Sequence, residues 1–270
     1  MKLTRRLRSA VIRMLPERLL VLARKRHYLR MLRRSTIRDE RDLAVVALLV
    51  REGDHVVDLG ANFGLYTNFL ARIVGVGGWV LSVEPVSSTF EILGYCVQAL
   101  KLDNVHLANF AISDRNATVD MDIPLGDDGN RNFYRAQIVE GGADSQVRSR
   151  RESVRATTLD SLLTDAGGPV SFIKCDVEGH EFLALLGSVE TIRRWKPAWL
   201  IEVSGDPDVP GTRSEATIAF LAAEGYGVFW FDGTILRRRR GGERSVNYFF
   251  LTALHIAELE RRDVQLDLTV

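Results

Sequence analysis

The chain has 270 residues, 46% of them hydrophobic and 26% charged. That length and balance suit one large globular α/β domain with an appendage and exclude a disordered or fibrous chain. The net charge of +1 hides an asymmetry: residues 1–41 hold 14 Lys and Arg against 3 Asp and Glu, a net +11, and the remainder carries −10.

The basic stretch reads as helical. Leu3, Leu7, Ala10, Val11, Met14 and Leu15 fall on one helical stripe, with Arg5, Arg6, Arg8 and Arg13 on the rest of the surface. Pro16 starts a second predicted helix through Leu19, Leu22 and Ala23 to Leu32. No apolar run here is long enough for a signal-peptide core or a membrane span. Three readings compete for residues 1–34. They dock on the main domain as an N-terminal cap, lie peripherally on an anionic membrane surface, or bind nucleic acid. The last is disfavoured because Tyr28 is the lone aromatic able to stack on a base. We therefore divide the chain into a basic helical segment, 1–38, and a main domain, 39–270. Cys96 and Cys175 stand far apart without metal-ligand spacing, which points to buried thiols in a reducing, cytoplasmic compartment.

Within the main domain, Ala44–Val50 reads as a helix preceding the first strand. Val56-Val57-Asp58-Leu59-Gly60-Ala61-Asn62-Phe63-Gly64 then reads as a strand running into a glycine-bracketed turn, followed by an amphipathic helix from Phe63 to Val74. Glycines in such a turn let backbone approach a ligand closely. The next predicted strand, Trp79–Val83, ends in Glu84, where a nucleotide-binding α/β fold grips the two ribose hydroxyls. Asp58 two residues before Gly60, and Asn62 in place of the middle glycine of G-x-G-x-x-G, disfavour a pyrophosphate. A ligand with a ribose, an ammonium and a sulfonium but no phosphate suits them better, and S-adenosylmethionine is such a ligand. The competing readings are an ordinary helix-capping Asp and a nicotinamide-dependent oxidoreductase.

A helix from Ser88 to Leu100 leads to a third strand, Val105–Phe110, and to Ala111-Ile112-Ser113-Asp114, beside which adenine would lie in a doubly wound sheet. From about 115 to 151 the pattern loosens. Val119 and Met121 suggest a short strand, but two glycine-rich stretches suggest loops, and the insert reads as a substrate-facing lid. Thr158–Leu163 reads as a short capped helix. Strand four, Val170–Cys175, runs into Asp176-Val177-Glu178-Gly179-His180-Glu181, the densest polar cluster in the chain. Strand five ends in Glu202, a helix spans Glu215–Ala223, strand six covers Val228–Phe231 before an Asp232-Gly233 hairpin turn, and a last antiparallel strand covers Val246–Leu251. The alternation predicts an α/β fold with a mostly parallel sheet and helices on both faces.

Ligands bind beyond the carboxyl ends of such strands, so Asp58, Glu84, Asp176 and Glu202 are expected to face one crevice. His180 and Asp176 are the candidate bases for a nucleophilic hydroxyl. Glu178 and Glu181 are candidates to hold the turn by accepting from backbone N–H groups, and Asn247 is a further candidate for the crevice. No metal site is expected. Arg237–Arg240 reads as a solvated loop.

These stretches resemble a known family. Asp58-Leu-Gly-Ala-Asn-Phe-Gly64, Val83-Glu84-Pro85, Ala111-Ile-Ser-Asp114, Thr158-Leu-Asp160 and above all Ile173-Lys-Cys-Asp-Val-Glu-Gly-His-Glu181 are similar to the FkbM-type S-adenosylmethionine-dependent methyltransferases, over roughly residues 40–252. The resemblance implies a class I methyltransferase (Rossmann-like) sheet of seven strands, one of them antiparallel. It implies that Asp58, Gly60, Asn62 and Gly64 form the methionine-side loop, that Glu84 binds the ribose, and that Ser113 and Asp114 lie by the adenine. Asp176 would border donor and acceptor, with Glu178, Glu202 and Asn247 toward the acceptor. The acceptor implied is a hydroxyl on a small molecule or glycan, without nucleic acid. A non-catalytic, membrane-anchored S-adenosylmethionine-binding protein is the remaining alternative.

Overall fold

Runs of β-branched and aromatic residues form the strands, and their period of two divides the core between two faces. The computed structural model describes residues 17–124, 137–138, 149–262 and 265–268. The first predicted helix, Leu3–Leu15, lies outside the described residues.

In chain order the elements are α1 (Glu17–Arg34), α2 (Leu43–Leu49), β1 (His55–Leu59), α3 (Leu65–Val74), β2 (Trp79–Val83), α4 (Ser87–Leu100), β3 (Val105–Ala108), β4 (Ala111–Ile112), β5 (Ala117–Pro124), β6 (Gln137–Ile138) and β7 (Ser149–Thr157). There follow α5 (Leu159–Leu162), β8 (Val170–Cys175), α6 (Glu181–Leu186), α7 (Val189–Trp195), β9 (Ala198–Glu202), α8 (Arg213–Ala223), β10 (Gly227–Phe231), β11 (Leu236–Arg238), β12 (Asn247–Leu251), α9 (Ala253–Glu260) and β13 (Leu266–Asp267).

The main sheet has the order β13-β11-β10-β12-β9-β8-β1-β2-β3. It therefore carries nine strands, not the expected seven. Of the seven from β10 to β3, only β12 runs against the rest. The surplus arises at one edge. The Asp232 carboxylate accepts from the N–H groups of Thr234 and Ile235, which turns the chain back as β11, and β13 then adds alongside in parallel. Arg239, just past β11, is not solvated as expected: its side chain is 9% exposed and pairs with Asp208 at 2.6 Å.

Alternation is clean across the central strands. Val57, Ile173, Trp199, Ile201 and Phe250 face a core closed by Leu159, Leu185, Ile192 and Leu221 from α5–α8. Val56, Phe172, Leu200 and Phe249 face the other, closed by Val45 and Val46 of α2, Leu70 and Val74 of α3, and Leu259 of α9.

The insert is more regular than its composition suggests. β5 and β7 pair antiparallel from Ala117↔Ala156 to Pro124↔Ser149, and β6 pairs with β5 through Met121↔Ile138. Met121, Ile123, Val154 and Ala156 pack this small sheet onto Val86 and Ala111. Residues 125–136 and 139–148 of the expected lid lie outside the described residues.

Helix α1 docks on the domain. Leu29 and Leu32 are buried with Phe63, Ile92 and Cys96, and the Tyr28 ring stacks on Phe63 with centroids 4.5 Å apart. Lys25 pairs with Glu91 at 2.7 Å, and Asn68 Nδ2 donates to the Leu32 carbonyl. The second half of the helix, Leu29 and Leu32, is thus spent on the protein itself, whereas Leu19 and Leu22 of the first half are exposed. No helix among the described residues is long and apolar enough to cross a membrane.

Candidate active site

The crevice lies over the carboxyl ends of β1, β2 and β8. It is lined by Gly60 and Asn62 from the loop after β1, Glu84 and Val86 after β2, and Asp176 and Glu178 after β8. Phe110 and Ile112, with Met121 and Ile138 of the insert, form an apolar end. Among the described lining residues are three carboxylates and no Lys, Arg or His.

Glycine geometry makes the loop. Gly60 has φ +71°, and a Cβ there would lie 1.8 Å from the Asp176 carbonyl oxygen, so backbone meets backbone across the crevice floor. Gly64 has φ +99° and precedes α3, with Leu93 Cδ1 2.8 Å from where a Cβ would stand. Gly60 and Ala61 both donate to the Val83 carbonyl, and Asp176 donates to that of Leu59, which ties the three strand ends together.

Glu84 is 6% exposed. One carboxylate oxygen accepts from the Asn62 N–H and the other from the Val86 N–H, each at 3.0 Å. Burial pushes its pKa up to about 7 against those two hydrogen bonds. Each oxygen retains a lone pair, which suits a vicinal diol.

Asp58 does not face the crevice. It sits one residue before the end of β1, on the side of Val56, under α3, and is fully buried. Thr67 Oγ1 donates to its Oδ2 at 2.6 Å, and Lys174 Nζ lies 3.9 Å from its Oδ1. Burial raises its pKa, opposed by Lys174 and Thr67.

Lys174, directly opposite Asp58 in register, donates to the Gly60 carbonyl at 3.2 Å and to Asp176 Oδ2 at 3.0 Å. Burial disfavours its charge, but Asp176 and Asp58 outweigh that and its pKa is raised. Lys174 is not among the residues the sequence marks for a role. Its signal was a lone ammonium inside the apolar strand Val170–Cys175.

The remaining candidates divide. Glu178, in left-handed backbone at φ +54°, lines the crevice, and burial with neighbouring Asp176 and Glu202 pushes its pKa up to about 7. Glu202 is likewise pushed up to about 7 by burial and Asp176, but it is absent from the lining. Glu181, not Glu178, holds the turn: its Oε1 accepts from Val177 and Gly179 N–H groups. Asn247 stands opposite Glu202 and donates to Asp42 Oδ2 at 2.7 Å, instead of reaching the crevice. Asp42, which precedes α2, is 4% exposed and makes no cap bond; nothing in its local sequence marks it as a partner of Asn247.

His180 is also withdrawn from the crevice. It is 5% exposed, and its Nε2 lies 3.0 Å from Ser113 Oγ. Ser113 Oγ donates to Asp114 Oδ1, and the Ser113 carbonyl oxygen is 2.0 Å from where a Cβ on Gly187 would stand. Ser113 and Asp114 are absent from the crevice lining, which on this segment ends at Ile112. Among the described residues no group of three His, Cys, Asp or Glu side chains is arranged to hold a metal.

The mixed, mostly parallel sheet, the glycine-shaped floor and the acidic crevice fit a ribose-bearing, phosphate-free, positively charged ligand, and so define an S-adenosylmethionine-dependent methyltransferase of Rossmann-like fold. Residues 58–228 match the methyltransferase FkbM domain, well over half of the chain, and the protein belongs to that family. A curated relative, the ribosomal RNA large subunit methyltransferase E of Sorangium cellulosum, is 40% identical over 70 residues, 24% of this chain; the match spans a third of that relative's length. Among solved structures, methyltransferase FkbM from Methylobacillus flagellatus aligns over 84% of this chain and 59% of its own at 14% identity and a TM-score of 0.48. Aeropyrum pernix fibrillarin in complex with S-adenosyl-L-methionine aligns over 77% of this chain and 73% of its own, at 12% and 0.44.

Proposed function

We propose that the protein methylates a hydroxyl oxygen on a sugar, glycolipid or secondary metabolite. The observation that carries this reading is the pair Asp176 and Glu178, two carboxylates bordering the donor crevice with no cation among its described lining residues. When bound there, S-adenosylmethionine supplies a methyl group on a positively charged sulfur. Glu84 would hold the ribose diol, the Gly60–Gly64 loop the methionine end, and Phe110, Ile112, Met121 and Ile138 the adenine.

Methyl transfer to oxygen forms a C–O bond, breaks the S–C bond and releases the hydroxyl proton. Positioning the two reactants in line supplies most of the acceleration. The proton falls to a carboxylate at the crevice, since His180 is buried against Ser113. Glu178, with its pKa pushed up to about 7, is matched to accept it near neutral pH, and Asp176 to orient the hydroxyl.

A phosphate-rich acceptor fits poorly. Asp176, Glu178 and Glu202 act on one another at this end, and a polyanion brought there would be repelled by these carboxylates. The test is transfer of labelled methyl from S-adenosylmethionine to a panel of glycans, glycolipids and polyols, with RNA as the comparison. Label entering a hydroxyl compound supports the proposal; label entering RNA alone overturns it.

A further inference from the structure

Lys174 never reaches the crevice, yet it touches both of its walls. Its single ammonium donates to the Gly60 carbonyl at 3.2 Å and to Asp176 Oδ2 at 3.0 Å, and lies 3.9 Å from Asp58 Oδ1. The Tyr66 ring closes over it with Nζ 5.3 Å from the centroid. We propose that Lys174 is a positioning residue that locks the glycine loop to Asp176, so that the donor's methionine end and the group facing the acceptor are set by one side chain.

The geometry makes this more than charge balance. If Lys174 served only to neutralise Asp58, its short contacts would go to Asp58. Instead the Asp58 carboxylate is held by Thr67 at 2.6 Å, and both Lys174 hydrogen bonds go forward to the crevice walls. Occupying Asp176 Oδ2 restrains that carboxylate, which lines the crevice, and leaves its Oδ1 outside the bond to Lys174. Holding the Gly60 carbonyl keeps it turned inward at the point where Gly60 and Asp176 backbones touch. Register makes this possible: Lys174 lies opposite Asp58, two residues before Asp176 and beside the strand that leads into Gly60.

The test rests on the donor site described above and uses two variants that leave no buried charge alone. Lys174→Met with Asp58→Asn removes both partners. Lys174→Arg keeps a cation over Asp58, but its planar fork cannot present one nitrogen to both Gly60 and Asp176. Thermal melting of each is followed by calorimetric titration with S-adenosylmethionine and S-adenosylhomocysteine, the wild type being measured alongside. Folded variants that bind both ligands about tenfold or more weakly, the loss expected of a charge-assisted hydrogen bond, support the proposal. Binding within about threefold of wild type by either folded variant overturns it and leaves Lys174 as the counter-charge of Asp58. A donor site that failed altogether would show as absence of binding by the wild type, which is a different result.

Discussion

The backbone carbonyl oxygen of Asp176 sits 1.8 Å from the place a Cβ on Gly60 would occupy. Two strand ends thus meet backbone to backbone beneath the crevice, and no other residue type fits at position 60. Gly60→Ala is expected to destabilise the protein by about 3 kcal/mol or more, from the positive φ and the backbone collision together. Urea denaturation measures it. A loss below about 1 kcal/mol would mean that the loops separate at little cost.

Glu84 places both carboxylate oxygens on backbone N–H groups and keeps a lone pair on each. Its acidic form cannot accept two further hydroxyl hydrogen bonds equally well. With its pKa pushed up to about 7, donor affinity should weaken as pH falls below that value, by up to about tenfold per pH unit. Glu84→Gln should bind weakly and lose that dependence, as read by titration across pH.

Burial pushes the carboxyl pKa of Glu84, Glu178 and Glu202 each up to about 7, against an ordinary value of 4.5. A raised carboxyl pKa in the folded state contributes stability that is full below the unfolded value and lost as pH rises through the folded one. The ligand-free protein should therefore melt at lower temperature near pH 8 than near pH 5. Replacing Glu178 and Glu202 by Gln should flatten the slope. Melting curves that rise with pH over that window would refute the grouping of these carboxylates.

His180 is fixed against Ser113, so His180→Ala should cost stability and leave donor binding intact. About 1–2 kcal/mol is expected for the lost buried hydrogen bond and packing. A selective fall in methyl transfer with stability unchanged would restore His180 as the proton acceptor.

Tyr28 stacks on Phe63, the residue after Asn62, so the basic helix rests on the edge of the donor loop. Tyr28→Ala should loosen helix α1 by about 1–2 kcal/mol, visible as faster hydrogen exchange in residues 17–34. Unchanged exchange would show that Leu29 and Leu32 hold the helix alone.

Much of the fold was legible because strand alternation and the loop glycines are local signals. Trp79–Val83 and Val170–Cys175 form where the apolar runs predict, and Asp176, Glu84 and Gly60 meet at one crevice because they follow strand ends. Asp58 misled because it lies one residue inside its strand, and a single step of the pleat turns a side chain from the crevice edge to the face under α3. Asn247 and Asp42 meet from opposite ends of the main domain, a contact that spacing cannot reveal. The insert was hard to read because β5 and β7 pair across residues of loose, polar composition. Strand propensity expressed only in pairing leaves little trace in either strand alone.

Everything proposed for the crevice depends on Glu84 holding S-adenosylmethionine there. Calorimetric titration of the wild type and of Glu84→Ala with S-adenosylmethionine, S-adenosylhomocysteine and NAD tests it most directly. The wild type should bind the first two at micromolar concentration and not NAD, and the variant should lose binding. Binding of NAD alone, or S-adenosylmethionine affinity unchanged by Glu84→Ala, would contradict it.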